Sequence, residues 1–348
     1  MKHIIKRGCF LTLMFMLLGC LSLYAADNDL ITKQITINLE KAGTLPDRIG
    51  SSKKYKITNL KIIGEINGTD LRMIRDMAGS SSNGNSTDGK LSVLDLSKAK
   101  IVEGGDCYHI NYYTSNDVIG SYAFDGCSGL TNLTLPAGIT EIGYNAFQYC
   151  SGLTSLTLPA GITEIGDYAF QHCSGLTSLT LPAGITKIGD YAFQHCSGLT
   201  SLTLPAGITR IDDYAFSGCS GLTSLNLPAG ITSIGDETFQ NCSGLTSIYV
   251  YAEKVPKIGS NVFGEVDAKK CTLYVPMGTY DDYWLSGFGD YFENIVEFEA
   301  TGIDKTTTST DVEEVARYSV NGQRLSAPTK GLNIVKYSDG SVKKVAVQ

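Results

Sequence analysis

Apolar residues recur at one fixed spacing through the middle of the chain. Isoleucine, phenylalanine and cysteine each return every 23 residues. A period of this length predicts a solenoid in which each repeat forms one coil, and stacked coils bury a core that no single coil can bury. The recurring residues are Ile119, Ile142, Ile165, Ile188, Ile211 and Ile234; Phe124, Phe147, Phe170, Phe193, Phe216 and Phe239; and Cys127, Cys150, Cys173, Cys196, Cys219 and Cys242.

Each repeat also contains a strand signal. Leu156 and Leu158 alternate with polar residues, which predicts a short strand with both leucines facing inward. Pro159 follows this strand, at a position where its missing N–H costs little. Asp167 is predicted to cap a short helical turn that directs Phe170 into the core.

Weaker copies of the pattern extend the repeat in both directions. Residues 57–62 and 91–96 match the strand pattern upstream, and residues 258–263 and 273–278 match parts of the repeat downstream. Altered terminal repeats are expected to cap a solenoid. About nine strands are predicted in total, which gives a spine on the order of 40 Å long.

These repeats resemble the BspA-like leucine-rich repeat family of bacterial surface proteins. The unit from Leu153, Leu-Thr-Ser-Leu-Thr-Leu-Pro-Ala-Gly-Ile-Thr-Glu-Ile-Gly-Asp-Tyr-Ala-Phe-Gln-His-Cys-Ser-Gly, carries the likeness, which extends over residues 57–300. The resemblance implies a curved repeat β-solenoid of leucine-rich-repeat type, display at the cell surface, binding to host matrix proteins or other cells, and no catalytic residues.

The N-terminus predicts export. Lys2, Lys6 and Arg7 precede an apolar run at residues 9–23 that is too short to span a membrane comfortably, as in a signal peptide. Two cleavage sites compete. Residues 17–20 resemble a lipobox, which would leave a lipid on Cys20, whereas residues 23–25 fit ordinary signal peptidase.

The C-terminus predicts a separate small module. Asn321-Gly322 and Asp339-Gly340 lie between β-prone runs and favour hairpin turns. Residues 318–325 and 331–335 resemble the C-terminal sorting domains of type IX secretion. The predicted division is a signal peptide at 1–25, a capping region with degenerate repeats at 26–118, the solenoid with its C-terminal cap at 119–300, a linker at 301–312 and a small antiparallel β-module at 313–348.

Composition excludes some classes of function. The net charge is −7 and only 18% of residues are charged, so the chain lacks the basic patch of a nucleic-acid-binding protein. No nucleophile with a base and no phosphate-binding loop follows from the spacing, and neither catalysis nor a cofactor is predicted.

Thiols one strand spacing apart and parallel suit neither disulfides nor zinc, so the cysteines are predicted to form a buried column. His172 and His195 share a column without a third metal ligand.

The outward strand positions are the predicted binding surface. They form an uncharged grid of hydroxyls and amides, whose two columns then change to Ser247, Tyr249 and Tyr274, with Tyr251 nearby in sequence. Tyrosine is enriched at binding hot spots, so Tyr249 and Tyr274 are the principal candidates, and Tyr251 is a further one. The grid comprises Asn132, Thr134, Ser155, Thr157, Ser178, Thr180, Ser201, Thr203, Ser224 and Asn226.

Other aromatic residues have different predicted roles. Trp284 and Phe288 are predicted to cover the C-terminal cap. Tyr108, Tyr112 and Tyr113 form a second aromatic group before the first regular repeat.

The sequence therefore predicts an exported protein of the cell surface or outer membrane, or a secreted one, that binds host or bacterial surface proteins or glycans. The lipid or the tail would anchor it to the outer membrane. A structural envelope protein without a discrete ligand and a carbohydrate-capture protein remain as alternatives.

Overall fold

The computed structural model describes residues 29–299 and, in the tail, residues 314–319, 324–325, 327, 331–337 and 342–347. The predicted signal peptide, Cys20 and the predicted linker lie outside the described residues. The chain forms two compact units, one ending at Val296 and one beginning at Glu297.

Short strands dominate the first unit. Its N-terminal region contains β1 (Ile35–Leu39), α1 (Leu45–Ile49), β2 (Asn59–Ile66), α2 (Gly68–Met77), β3 (Val93–Ile101), β4 (Gly104–His109) and β5 (Tyr112–Thr114). Two-residue strands then alternate with longer ones: β6 (Val118–Ile119), β7 (Asn132–Thr134), β8 (Glu141–Ile142), β9 (Ser155–Thr157), β10 (Glu164–Ile165), β11 (Ser178–Thr180), β12 (Lys187–Ile188), β13 (Ser201–Thr203), β14 (Arg210–Ile211), β15 (Ser224–Leu227), β16 (Ser233–Ile234), β17 (Ser247–Val250), β18 (Lys257–Ile258) and β19 (Thr272–Pro276). The helix α3 (Tyr280–Trp284) and the strand β20 (Asn294–Phe298) follow.

The longer strands form one side of a solenoid. They build a six-stranded sheet, β1-β2-β3-β7-β9-β11, and a five-stranded sheet, β13-β15-β17-β19-β20. Equivalent residues of successive repeats pair in parallel, as Leu156 does with Leu179 and Leu225 with Ile248. The strands β2, β3 and β19 lie where the weak copies predicted strands.

The other two sides are also hydrogen-bonded from coil to coil. The two-residue strands form a seven-stranded sheet, β18-β16-β14-β12-β10-β8-β6. On the third side, turns link the coils, and the Phe170 N–H donates to the Ala192 carbonyl at 2.7 Å. The predicted leucine-rich-repeat β-solenoid is therefore confirmed.

The core consists of columns of identical side chains. The rings of Phe147, Phe170, Phe193 and Phe216 stack nearly parallel, with centroids 5.0 Å, 5.1 Å and 5.2 Å apart. All four are fully buried. Each ring thus has its packing partners in the coils above and below, which makes stability a property of the stack.

The predicted helical turn is wrong in detail. Tyr168 and His172, on either side of Phe170, have φ values of 58° and 60°, which a right-handed helix excludes. The segment is a series of tight turns instead. Asp167 therefore caps no helix. Its Oδ1 instead accepts the backbone N–H of Asp190 in the next coil at 3.0 Å.

The N-terminal cap contains elements that the repeat did not predict. The strand β1 extends the sheet, α1 and α2 lie beside it, and β4 and β5 form a hairpin. Helix α2 begins with a capping box, in which Asn67 accepts the Thr69 N–H and Asp70 accepts the Asn67 N–H.

The C-terminal cap corrects one prediction. Phe288 is fully buried as predicted, but Trp284 is 46% exposed and does not cover the core. Tyr283 does so, with its hydroxyl donating to the Ala252 carbonyl at 2.6 Å. Adjacent residues on a helix point about 100° apart, so only one of the two can face the core.

The second unit is antiparallel. The strands β21 (Glu314–Ser319), β22 (Arg324–Leu325), β23 (Gly331–Tyr337) and β24 (Val342–Val347) form a sheet in the order β22-β21-β23-β24. The turn residues Asn321-Gly322 and Asp339-Gly340 lie outside the described residues. The sorting role stays a prediction.

Candidate functional site

The predicted grid lies on the outside of the long-stranded side. Ser155 and Thr157 are exposed, whereas Leu156 between them is buried, and the same alternation recurs in the neighbouring strands. We call the outward positions of the longer strands β7, β9, β11, β13, β15, β17 and β19 the sheet face. Its residues are therefore accessible as predicted, while their binding role stays a prediction.

The sheet face changes character towards its C-terminal end. In one column, Thr203 pairs with Asn226, Asn226 with Tyr249 and Tyr249 with Tyr274. The two tyrosine rings stack with centroids 4.3 Å apart and planes 6° apart. Burial and the neighbouring Tyr274 raise the pKa of Tyr249. The pair is thus a rigid, half-buried aromatic surface beside a polar grid.

Tyr251 directly follows β17 and is half-buried. Its backbone N–H donates to the Leu227 carbonyl at 3.0 Å, which continues the parallel hydrogen bonding beyond the strand. The nearby Tyr251 phenol also helps to raise the pKa of Tyr249. The three predicted tyrosines are therefore neighbours.

The N-terminal end of the long-stranded side carries an ion pair, which the sequence did not indicate. Lys61 of β2 pairs with Asp95 of β3, and their charged atoms are 2.7 Å apart. Burial favours the neutral acid, but hydrogen bonds from Lys61 and Ser97 outweigh this effect and lower the pKa of Asp95. Asp95 in turn pairs with Thr134. Each of β2 and β3 is a single irregular copy, so no period revealed this pair.

Threonines at the edge of the strands donate hydrogen bonds to backbone carbonyls of the previous coil. The Thr154 hydroxyl donates to the Thr131 carbonyl at 3.0 Å, and Thr177 donates to Thr154 at 3.1 Å. These hydroxyls support the ladder, so they are less available for a ligand than the grid itself.

The third side of the solenoid, where turns link the coils, carries two further stacks of rings; we call it the turn side. Tyr168, Tyr191 and Tyr214 stack with centroids 4.6 Å apart at each step. His172 stacks on His195 at 4.8 Å, and burial together with His195 lowers the pKa of His172.

The cysteine column is buried, as predicted. The thiols are free, and the Cys173 Sγ–H donates to the Phe147 carbonyl at 3.1 Å. Burial raises the pKa of Cys196 to about 12, so the column consists of unreactive thiols. Cys107 and Cys271, whose redox state the sequence left open, are unpaired as well.

No helix among the described residues has both the length and the apolar character needed to cross a bilayer. Within the same residues, no three His, Cys, Asp or Glu side chains converge as metal ligands.

One family model matches the chain. It is described as the BspA type leucine-rich repeat region, and six copies match within residues 104–220 and 163–286. The two stretches together span more than half of the 348 residues. Among curated proteins, no significant match is found.

Several solved structures are similar to the chain. A leucine-rich repeat protein from T. pallidum is 28% identical, with 47% of this chain and 76% of that chain covered and a TM-score of 0.39. A leucine-rich repeat protein from Bacteroides ovatus is 21% identical, with 78% and 73% covered and a TM-score of 0.42. The pneumococcal vaccine antigen PcpA is 17% identical, with 70% and 69% covered and a TM-score of 0.37.

Proposed function

The chain belongs to the family of BspA-type leucine-rich repeat proteins, and from this premise we propose that it is an exported surface protein that binds through its sheet face. The family suggests a protein-binding repeat module and is typically non-enzymatic and found at the cell surface or secreted. The proposed partners are host or bacterial surface proteins or glycans.

The stacked pair of Tyr249 and Tyr274 carries this proposal. A flat grid of small hydroxyls gives a partner little to distinguish, since each position resembles the next. The tyrosine pair adds large amphipathic surface at one defined place, and the 4.3 Å stack already holds both rings in position. Rings held in position lose little entropy on binding, which favours them as contacts.

The test is binding of the purified full chain to an array of matrix proteins, mucins and glycans. The Tyr249→Ala/Tyr274→Ala variant is expected to lose most of a saturable signal. The matched control is Tyr191→Ala/Tyr214→Ala, which removes a stacked pair with a similar 4.6 Å spacing from the turn side. The control is expected to bind like the wild type.

Each result has a defined meaning. Loss in the first variant alone supports the sheet face as the binding surface. Equal binding by both variants contradicts this location. Binding to glycans alone favours the carbohydrate-capture alternative, and a blank array with a folded protein favours the structural envelope alternative.

We also propose the route and division predicted from the sequence. A signal peptide at residues 1–25 directs export, the regions 26–118, 119–300, 301–312 and 313–348 act as separate segments, and the tail assists sorting. The mass of the mature protein from its native membrane fraction tests this. A start at Cys20 with two or three acyl chains supports the lipoprotein form, a start near Ala26 supports ordinary cleavage, and an uncleaved N-terminus contradicts both.

A further inference from the structure

A cleft lies where the N-terminal cap meets the first regular coils. Its volume is about 500 Å³, within the range of small-molecule sites. One wall is the loop after α2, with Ser80 and Thr87, and the other wall comprises Asp125, Gln148 and Tyr149. The sheet face contributes no residue to it, so this is a separate site.

Tyr149 presents an aromatic ring face to this cleft. Its ring stacks on His172 at 4.8 Å with planes 6° apart, which occupies one face. The residue one coil earlier in the same column is Gly126, which has no side chain to cover the other face. A Cβ built at Gly126 would lie 2.9 Å from Ser80 Oγ and, outside its chain neighbours, within 4 Å of no other described residue, so Ser80 is the one side chain that approaches this place in the column. Tyr149 is accordingly 50% exposed, at the open end of a stacked ladder.

Asp125 supplies a hydrogen-bond acceptor beside this ring. Within the described residues its carboxylate accepts no hydrogen bond, and its nearest ionic neighbour, His109 Nε2, is 3.7 Å away. His109 is 5% exposed, and its Nδ1 is buried without a partner. Burial raises the pKa of Asp125, although the buried Arg75 opposes this effect.

Gln148 adds a second acceptor. Its Nε2 donates one of its two N–H groups to Gln171 Oε1 in the next coil, which fixes the side chain in the ladder. The Gln148 Oε1 can then accept a hydrogen bond from a ligand. The cleft therefore combines one open aromatic face with two oxygen acceptors, whereas the Ser80 and Thr87 hydroxyls in its wall are engaged with Arg75 and the Asp76 carbonyl.

We propose that this cleft binds a saccharide, with one pyranose ring against the open face of Tyr149. The polarised C–H groups of a sugar ring match the negative face of an aromatic ring. Sugar hydroxyls donate to the Asp125 carboxylate and to Gln148, and a hydrogen bond to a charged group is stronger than a neutral one. A phosphate-bearing ligand is disfavoured, because Asp125 would repel it and Arg75, whose two Nη groups donate to Tyr122, Ser80 and Ser81, does not line the cleft.

The experiment is saturation-transfer NMR on the full chain with the methyl glycosides of glucose, galactose, mannose and N-acetylglucosamine at millimolar concentration. We expect transfer to the ring protons of at least one glycoside. Tyr149→Ala should abolish it, and Asp125→Asn should weaken binding about tenfold or more. Tyr144→Ala is the matched control, since Tyr144 is a similarly exposed ring in the same coil that does not line the cleft.

Tyr149→His separates binding from folding, because histidine is the natural residue of this column in the next two coils. This variant should retain the stack and part of the binding. Absence of transfer from every glycoside, or equal transfer in Tyr149→Ala, overturns the proposal. Binding of N-acetyltyrosinamide in place of the glycosides also overturns it and identifies an aromatic peptide side chain as the ligand. The Tyr249/Tyr274 variant should bind the glycosides normally, so the two proposals can fail independently.

Discussion

Gly198 ends its repeat just before the strand β13 of the next one, at a place where the backbone passes close to the previous coil. A Cβ there would lie 2.5 Å from the Ser174 carbonyl oxygen and 3.0 Å from that of Leu176. Both are backbone atoms, so neither can rotate away. Glycine is thus required at this position by contact between coils.

We expect Gly198→Ala to lower the free energy of unfolding by more than about 1 kcal/mol, because one coil must move away from the next. Gly184→Ala in the same repeat is the control, since its Cβ would meet the Ile162 carbonyl oxygen at an ordinary 3.6 Å. That change should lie within about 0.5 kcal/mol of wild type or stabilise slightly. Urea unfolding followed by circular dichroism measures both. Equal effects in the two variants would contradict the steric explanation.

His109 makes stability depend on pH. Its ring stacks on Tyr122 at 4.8 Å, and burial and the nearby Arg75 lower its pKa from 6.5 to about 4. The folded protein therefore binds fewer protons than the unfolded chain between these values. Stability contributed by neutral His109 is present above pH 6.5 and is lost as the pH falls towards 4.

We expect His109→Phe, which keeps a ring against Tyr122, to remove this dependence. Between about pH 7.5 and pH 5.5 the wild type should lose on the order of 1 kcal/mol more than the variant. Asp125 acts in the opposite direction, since its raised pKa favours the folded state in acid, and measuring above pH 5 limits its contribution. Parallel pH profiles for the two proteins would mean that His109 is not responsible.

At the scale of elements, strands of two or three residues cannot be stable alone, so the stacked columns hold each coil. Phe193 lies in the middle of the phenylalanine column, 5.1 Å from Phe170 and 5.2 Å from Phe216. Removing its ring therefore affects two neighbouring coils at once.

We expect Phe193→Ala to cost about 3–5 kcal/mol of unfolding free energy, as for other large truncations in a core. Thr180→Ala on the exposed sheet face should change it by less than about 0.5 kcal/mol. Reversible denaturant unfolding of both variants measures the difference. A loss below about 1 kcal/mol for Phe193→Ala would contradict its role in the column.

The elements that the sequence predicted are those that recur. The phenylalanine column and the alternation around Leu156 follow from a period, because many copies repeat one constraint. The period carries no information about φ. The sequence therefore did not predict the left-handed backbone conformation of Tyr168 or the hydrogen bond that Asp167 accepts from the Asp190 N–H. The Lys61–Asp95 pair occurs once, and only the fold brings its partners together.

At the scale of the molecule, a solenoid must end without exposing its columns. The Phe column ends at Phe263, which packs on Phe288 at 5.8 Å and on Phe292 at 5.0 Å. Tyr283 covers this end, since it is fully buried and its ring contacts Phe288 at 5.3 Å. An uncovered end would present apolar surface that a second molecule can bury.

We therefore expect Tyr283→Ala to promote self-association of the full chain, because it removes both the covering ring and the hydrogen bond to Ala252. Trp284→Ala is the matched control, since the neighbouring ring is 46% exposed and its loss uncovers little of the core. Light scattering after size-exclusion chromatography should show concentration-dependent oligomers for the first variant and the wild-type mass for the second. If Tyr283→Ala keeps the wild-type mass and stability while Trp284→Ala associates, the assignment of the cap is reversed. The wild-type mass in both variants would mean that Phe288 and Phe292 close the end of the column without Tyr283.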